Sequence, residues 1–369
     1  MAKNKFKRLT QEELELIEHL RKYGYVPEKY LVSNDVKFKQ LSKKYKNLKI
    51  KYDESLMLIE KLNKLNSVFG ELLKESDKLG NKIYKYKIKP HNKYKSESVA
   101  IAVASDWHIE EKVEPSTVNN LNEYNPKIAK NRIEKFFKKI VDFTEMHRSN
   151  THIDTLILAL LGDFITGFIH DEFKESNFMS PLEAIRYLYE HMTKGINYLL
   201  EYGNYKKIII PCAFGNHGRT TKEIRYATAA TNSFEQFFYY MLKDLYKENK
   251  KIQFIINSSY HKFSPLIFDK YLIRFHHGDA IRYKGGVGGI TIPVNKAIAQ
   301  WNKSTYVYLD VFGHFHQQLD GGNFISNGSL IGYNAYALSI KATFEEPKQT
   351  FFLIEKNYGK TVVQPIFLK

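Results

Sequence analysis

Cysteine is nearly absent from this sequence: Cys212 is the single one in 369 residues. An intrachain disulfide is therefore excluded, and a reducing compartment is the expectation. No stretch reaches the roughly 18 consecutive apolar residues that a membrane-spanning helix needs. The basic N-terminus, Met1 to Arg8, is not followed by an apolar segment, so no secretory signal is read there. Proline is scarce, with 10 residues, and nothing reads as collagenous, as low-complexity or as a repeat of fixed period. These absences point to a cytoplasmic protein with no membrane partner.

Aromatic residues are plentiful. The 26 Tyr and 25 Phe lie within a hydrophobic content of 43%, ample for one large packed domain or two. The abundance of Lys, Ile, Asn and Tyr points to an AT-rich coding genome. Charge is uneven: residues 1–97 hold 24 Lys and Arg against 13 Asp and Glu, a net of +11, whereas residues 98–369 carry a net of only +5. A basic arm on a near-neutral body points to a polyanion partner, nucleic acid before membrane, against the plain alternative of a solvated lysine-rich helix surface.

The arm reads as helical. Thr10 and Glu13 form a capping-box pattern for a helix to about Tyr23, closed by Gly24. A second helix near Ser33 carries Lys43, Lys44, Lys46, Lys49 and Lys51 on its basic side; a helical hairpin is preferred there over a DNA-binding helix–turn–helix. From Leu58 a seam steps by four and three through Leu62, Leu65, Phe69, Leu72, Ser76, Leu79 and Ile83, the pattern of a coiled coil. Homo-oligomerisation through these helices is an expectation. Residues 88–98 read as a linker, so the domain reading is a basic helical, partly coiled-coil arm, 1–97, and a body, 98–369.

The body alternates strands and helices. Strands are expected at Val99–Ala104, Leu156–Leu161, Lys207–Cys212, Gln253–Asn257, Tyr271–Phe275, Tyr306–Phe312, Asn323–Leu330 and Gln349–Glu355. Helices are expected from Asn125-Pro126 to about His147, from Ser180-Pro181 to about Tyr202, over most of Thr221–Tyr246, and over Val294–Asn302. This is an α/β layered sandwich with helices outside.

Polar residues collect after the strands. Gly313-His314-Phe315-His316 follows the run Val307–Phe312; Gly313 is expected to permit a turn that brings both imidazoles to one site, with Phe315 turned to the packed side. Asp106 and His108 follow the first strand. Gly162 and Asp163 follow the second, and Gly215-Asn216-His217-Gly218 the third. His276-His277-Gly278-Asp279 follow Phe275, with His277 favoured over His276 as a ligand. Five strand ends thus deliver carboxylate, amide and imidazole donors, and sites in α/β sheets gather at such ends. The donor set suits Mn²⁺, Fe²⁺ or Zn²⁺, and the lack of cysteine ligands argues against a structural zinc cage. Two divalent ions ~3.5–4 Å apart can clamp the attacking and leaving oxygens of a phosphoester.

In these blocks the sequence resembles the calcineurin-like metallophosphoesterase superfamily, over roughly residues 98–340. The resemblance implies a two-layer β-sandwich flanked by helices and a dinuclear centre, with Mn²⁺ first and Fe²⁺, Zn²⁺ or Mg²⁺ as alternatives. It implies that Asp106, His108 and His316 hold one metal, that Asn216, His277 and His314 hold the other, and that Asp163 bridges. His217 would contact the phosphate and stabilise the transition state or protonate the leaving oxygen, and the nucleophile would be a metal-bound hydroxide. There are departures. Gly162-Asp163-Phe164-Ile165-Thr166 lacks the acid and arginine expected of protein phosphatases. Gly218-Arg219 replaces an acid after His217, leaving Asp279 or Asp171 to orient that imidazole. Arg219 is read equally as a phosphate-binding residue or as the partner of an acid. Ile169-His170-Asp171-Glu172 and Asn327-Gly328-Ser329-Leu330 also resemble phage-type members.

His170 and His261 are read as surface or rim residues, Trp107 as packing or a wall of the site, Cys212 as core, and Gly285–Gly289 as a loop over the site or a turn. A DNA or RNA nuclease, on the strength of the basic arm and like the superfamily's repair exonucleases, is the expected function. A phosphatase or phosphodiesterase on small esters is the alternative, ahead of a non-enzymatic metal-bearing scaffold.

Overall fold

The structure, a computed structural model, describes residues 96–283 and 288–369 and scattered positions between 11 and 60. The chain divides into two units, Met1–Lys82 and Ile83–Lys369. In the first unit the described positions are helical, with a bend at Gly24. The Thr10/Glu13 capping pair, the seam from Leu58 to Ile83 and most of the glycine run at 285–289 lie outside the described residues. No described helix is long and apolar enough to cross a membrane.

The second unit is built on strand β1, Ser98–Ala104, buried at all seven positions. Period-two alternation divides its side chains between two cores. Ala100, Ala102 and Ala104 face the helices; Val99, Ile101 and Val103 face a second sheet. Burial on both sides explains why β1 is a continuous apolar run rather than an alternating one. It pairs in parallel with β2, Thr155–Leu160, which pairs in parallel with β3, Lys207–Pro211, and that with β4, Ile252–Ile255.

Parallel neighbours need crossovers, and helices supply them. Helix α1, Pro126–Arg148, joins β1 to β2; Asn125 caps it by accepting from Ile128 N at 3.0 Å. After the short α2, Glu172–Ser176, helix α3, Pro181–Tyr202, opens with the full Ser180/Glu183 capping box. Helix α4, Phe234–Leu245, joins β3 to β4.

The other sheet contains β5, Lys262–Phe263, β6, Ile273–Phe275, β7, Leu309–Phe312, β8, Leu319–Asp320, and β9, Phe324–Ser326, in the order β5-β6-β7-β9-β8. Helix α5, Thr291–Trp301, packs on its outer face through Val294 and Ile298 beside Phe312 and Phe324. After α6, Ala335–Ser339, strands β10, Lys348–Glu355, and β11, Gly359–Phe367, return antiparallel to complete the first sheet as β11-β10-β1-β2-β3-β4. The shared core of Val99, Ile101, Ile157 and Ile209 against Ile273, Phe275, Leu309 and Val311 makes the expected two-layer sandwich with outer helices.

Two expectations need correcting. Helix does not cover most of 221–246: it begins only at Phe234, because Ser233 caps it by accepting from Gln236 N. Upstream, the Arg219 guanidinium binds the carbonyls of Asn216, Thr221 and Lys222, which a continuous helix would pair with its own N–H groups. Strand β11 was not anticipated. It is an edge strand, so most of its residues stay half-exposed, and Pro365 is tolerated there.

Candidate metal centre

The expected residues converge where the two sheets end together. The backbone there is unusual. Among the described residues, eleven non-glycine positions have positive φ, and Asp106, His108, Asp163, His314 and His316 are five of them. Left-handed backbone costs on the order of 1 kcal/mol or more per non-glycine residue and gathers at functional sites. Gly313 is not among the positive-φ residues. The turn is made by His314 and His316 themselves, and Gly313 is needed for space: a Cβ there would lie 2.4 Å from Asp106 Oδ2. Phe315 packs towards Phe312, as expected, with ring centroids 6.0 Å apart.

Two donor groups result. Asp106, His108 and His316 present one ligand atom each within 4.8 Å of one another, as do Asp163, His277 and His314. Asn216 joins the second group, its Oδ1 3.2 Å from His277 Nε2. Asp163 lies in the second group, its Oδ2 2.9 Å from His277 Nε2, and its main-chain carbonyl accepts from His108 N at 3.2 Å, beside the first. The main-chain N–H of His314 donates to both oxygens of Asp106 at 3.0 Å, tying the fifth block to the first.

The donor chemistry fits bound cations. His277 Nδ1 faces the Leu161 carbonyl at 2.7 Å and must carry a proton to donate to it. Its Nε2 is then a lone pair directed at two oxygens, of Asp163 and Asn216, an arrangement that needs a cation or a second proton between them. His108 Nδ1 faces Thr166 Oγ1 at 3.1 Å, while its buried Nε2 has no hydrogen-bond partner. Thr166 Oγ1 in turn donates to Glu111 Oε2 at 3.4 Å, so it accepts from His108 and leaves Nε2 as the free donor atom. Orientation of a ligating histidine through its other nitrogen is the usual supporting device at metal sites.

Electrostatics divides the four histidines, raising His277 and His316 and lowering His108 and His314. Burial alone would raise the Asp163 carboxyl, but the charges of His277 and His217 hold it well below the usual range. Burial opposes charge on His277, yet Asp163 holds that imidazole well above its ordinary value. Burial, then the neighbouring His217 and His316, push His108 well down. Burial, then His277, lower His314 to about 4. His108 and His314 are thus kept neutral, the state that binds metal.

His217 lies beside the first group, its ring 4.8 Å from that of His108. Its main-chain N–H donates to Asp163 Oδ1 at 2.8 Å, and its Nδ1 to the Thr166 carbonyl at 3.1 Å. A carbonyl, not an acid, orients this imidazole. Asp279 instead accepts from Tyr260 Oη at 2.7 Å, and Asp171 is exposed and pairs with Lys174 at 2.6 Å. Arg219 pairs with no acid among the described residues; its guanidinium staples the 216–222 turn through three carbonyls. With Thr221, Ile224, Arg225 and Asp279 it lines a small cavity of about 30 Å³ beside Asn216. Exposed His170 meets Phe173, which packs on His217.

His276 faces away from the centre, 3.6 Å from Asp310 Oδ1, in a cluster with Trp301 and His261. His261 is half-buried and packs against Trp301 and His276. Trp107 is packing: it is buried, edge-on to Phe164, and donates to Gln349 Oε1 at 3.2 Å. Cys212 is buried in the core.

The supporting residues were mostly illegible in the sequence. Ser105 Oγ donates to Asp106 Oδ2 at 2.5 Å and accepts from Asn327 Nδ2 at 2.9 Å. Gln349 accepts from Ser105 N and donates to the carbonyls of Ser105 and Gly328. Glu110 accepts from Thr166 N and Gly167 N, both at 2.8 Å. Only Asn327, inside a motif already noted, carried a signal.

No protein-family model matches the chain, and no curated protein does. Solved structures resemble it distantly. A phosphatase from Mycoplasma pneumoniae aligns at 11% identity and a TM-score of 0.31, covering 74% of this chain and 93% of its own. The sulfate thiohydrolase SoxB of Thermus thermophilus aligns at 9% and 0.28, covering 76% and 58%. The calcineurin-like phosphoesterase YfkN of Bacillus subtilis aligns at 10% and 0.28, covering 73% and 91%. Overlaps this loose decide neither activity nor substrate. The resemblance of this chain to the calcineurin-like metallophosphoesterases rests on its five blocks, whose residues the fold gathers into two groups that could each hold a metal ion, with Asn216 beside the second.

Proposed function

We propose that this chain is a metal-dependent phosphoester hydrolase acting on the phosphodiester bonds of DNA or RNA. The observation that carries the reading is the pair of donor groups, Asp106, His108 and His316 beside Asp163, His277 and His314, with Asn216 Oδ1 next to His277 Nε2. Asp106, His108 and His316 would hold one ion, and Asn216, His277 and His314 the other, with Asp163 between them. The chemistry that two divalent ions supply when bound is polarisation of phosphoryl oxygens and activation of water. The residues supply position and proton control. With Nδ1 committed to the Thr166 carbonyl, His217 keeps Nε2 for the phosphoryl group: neutral it accepts a proton, protonated it donates one to a leaving oxygen. Support for nucleic acid as substrate is the net charge of +11 on residues 1–97, since phosphate neutralisation drives such binding.

The test is Mn²⁺-dependent cleavage of labelled single- and double-stranded oligonucleotides, beside a panel of small phosphomonoesters and diesters. Cleavage should be abolished in Asp163→Asn and should fall by about 10²–10⁴-fold in His217→Ala. Turnover of small esters without oligonucleotide cleavage would replace the nuclease reading with a small-substrate phosphatase or phosphodiesterase. Inactivity on every ester with two ions bound would refute both.

A further inference from the structure

The third block lacks an acid after His217, yet a buried carboxylate occupies that place from elsewhere in the chain. Glu235, in the first turn of α4, is 0% exposed. Its Oε1 accepts from Phe164 N at 2.6 Å, and its Oε2 from Gly215 N at 2.7 Å. Phe164 directly follows Asp163, and Gly215 directly precedes Asn216. One planar carboxylate therefore spans the two turns that carry the bridging acid and the amide ligand. Gly218 leaves room for it: a Cβ there would lie 2.8 Å from Glu235 Cγ.

We infer that Glu235 is a positioning residue that sets the spacing between Asp163 and Asn216 and so builds the metal position shared with His277 and His314. The inference rests on the dinuclear reading above. The distance between two carboxylate oxygens is fixed by covalent geometry, so the two turns cannot drift apart without breaking a hydrogen bond. Both bonds are charge-assisted when the carboxylate is ionised and well shielded from water, which makes them short and stiff. The main chain of Asp106 and His108 meets the Asp163 turn, Asp106 N donating to Gly162 O at 3.0 Å and His108 N to Asp163 O at 3.2 Å, but the side chains of Asp106, His108 and His316 make no hydrogen bond to Glu235. That position is tied by Ser105, Thr166 and the His314 main chain instead.

The full chain, stripped of metal by chelation, should be titrated with Mn²⁺ by calorimetry, with stoichiometry checked by elemental analysis. Wild type should bind two ions. In Glu235→Gln the new amide places N–H against N–H at one of the two turns. The ion held by Asn216, His277 and His314 should then bind about 10–100-fold more weakly, the usual effect of losing a residue that supports a ligand, and the other, which shares only Asp163, should weaken by a clearly smaller factor. Gly218→Ala presses on Glu235 without removing it and should give the same selective loss; it decides the matter if Glu235→Gln does not fold. Unchanged affinities in the folded variants, or equal weakening at both positions, would overturn the role of Glu235. Failure of wild type to bind two ions would instead overturn the dinuclear reading.

Discussion

Single residues in this molecule do two jobs at once. Thr166 shows it most clearly: its hydroxyl accepts from His108, its carbonyl accepts from His217, and its N–H is held by buried Glu110. His108 and His217 are thereby fixed by one residue. Away from the centre, Lys262 is buried, donates to the carbonyls of Asn257 and Ser259, and lies over the Phe214 ring at 5.3 Å. Burial lowers its pKa from 10.5 to about 8, against the nearby Cys212. Between those values the unfolded chain binds the extra proton, so stability contributed by this residue rises with pH from about 8 to 10.5. Wild type should therefore gain on Lys262→Met across that window, by on the order of 3 kcal/mol at most. Paired thermal melts at pH 8 and pH 10.5 check it; a constant difference would contradict the shift.

Elements are held by local signals backed by tight packing. Helix α3 begins at a reciprocal cap, with Ser180 Oγ accepting from Glu183 N and Glu183 accepting from Ser180 N at 2.8 Å. Ser180→Ala should cost about 1 kcal/mol. The same helix meets α1 at Gly195, where a Cβ would lie 2.0 Å from the Phe137 ring. Gly195→Ala raises intrinsic helix propensity by about 1 kcal/mol, yet the clash should dominate, with a net loss of about 1–3 kcal/mol. Urea unfolding of both variants measures the two terms; a stabilised Gly195→Ala would show that the helices can separate at little cost. The centre itself stands on strand ends rather than on these helices, so both variants should keep Mn²⁺ stoichiometry.

At the scale of the whole chain, charge and chemistry are segregated. Residues 1–97 carry a net of +11 and the remaining 272 only +5, while every residue of the two donor groups lies beyond 97. If the arm supplies nucleic-acid affinity, oligonucleotide binding should fall steeply with salt, the logarithmic slope growing by about 0.7–0.9 for each phosphate neutralised. Deleting residues 1–97 should flatten that slope and leave turnover of a small diester intact. Light scattering on both forms tests the arm as the source of self-association. An unchanged slope in the shortened chain would assign nucleic-acid contact to the body instead.

The sequence by itself determined which strands are buried, where the main crossover helices begin, and which side chains cluster at the centre. Those features are local: an apolar run such as Val99–Ala104, a capping pair such as Ser180 and Glu183, and polar residues placed immediately after strands. The tertiary structure alone decided how the cluster is supported. Glu235 reaches back 71 residues to Phe164 N, and Gln349 reaches 244 residues to Ser105. Neither contact leaves a periodic or spaced trace in the chain. It also decided that His314 and His316, not Gly313, take the left-handed backbone. Gly313 is small because Asp106 Oδ2 and Ser105 Oγ, from a distant strand end, fill the space a Cβ would need. Propensity reads a glycine as freedom to turn; only the folded neighbours show when it is room for something else.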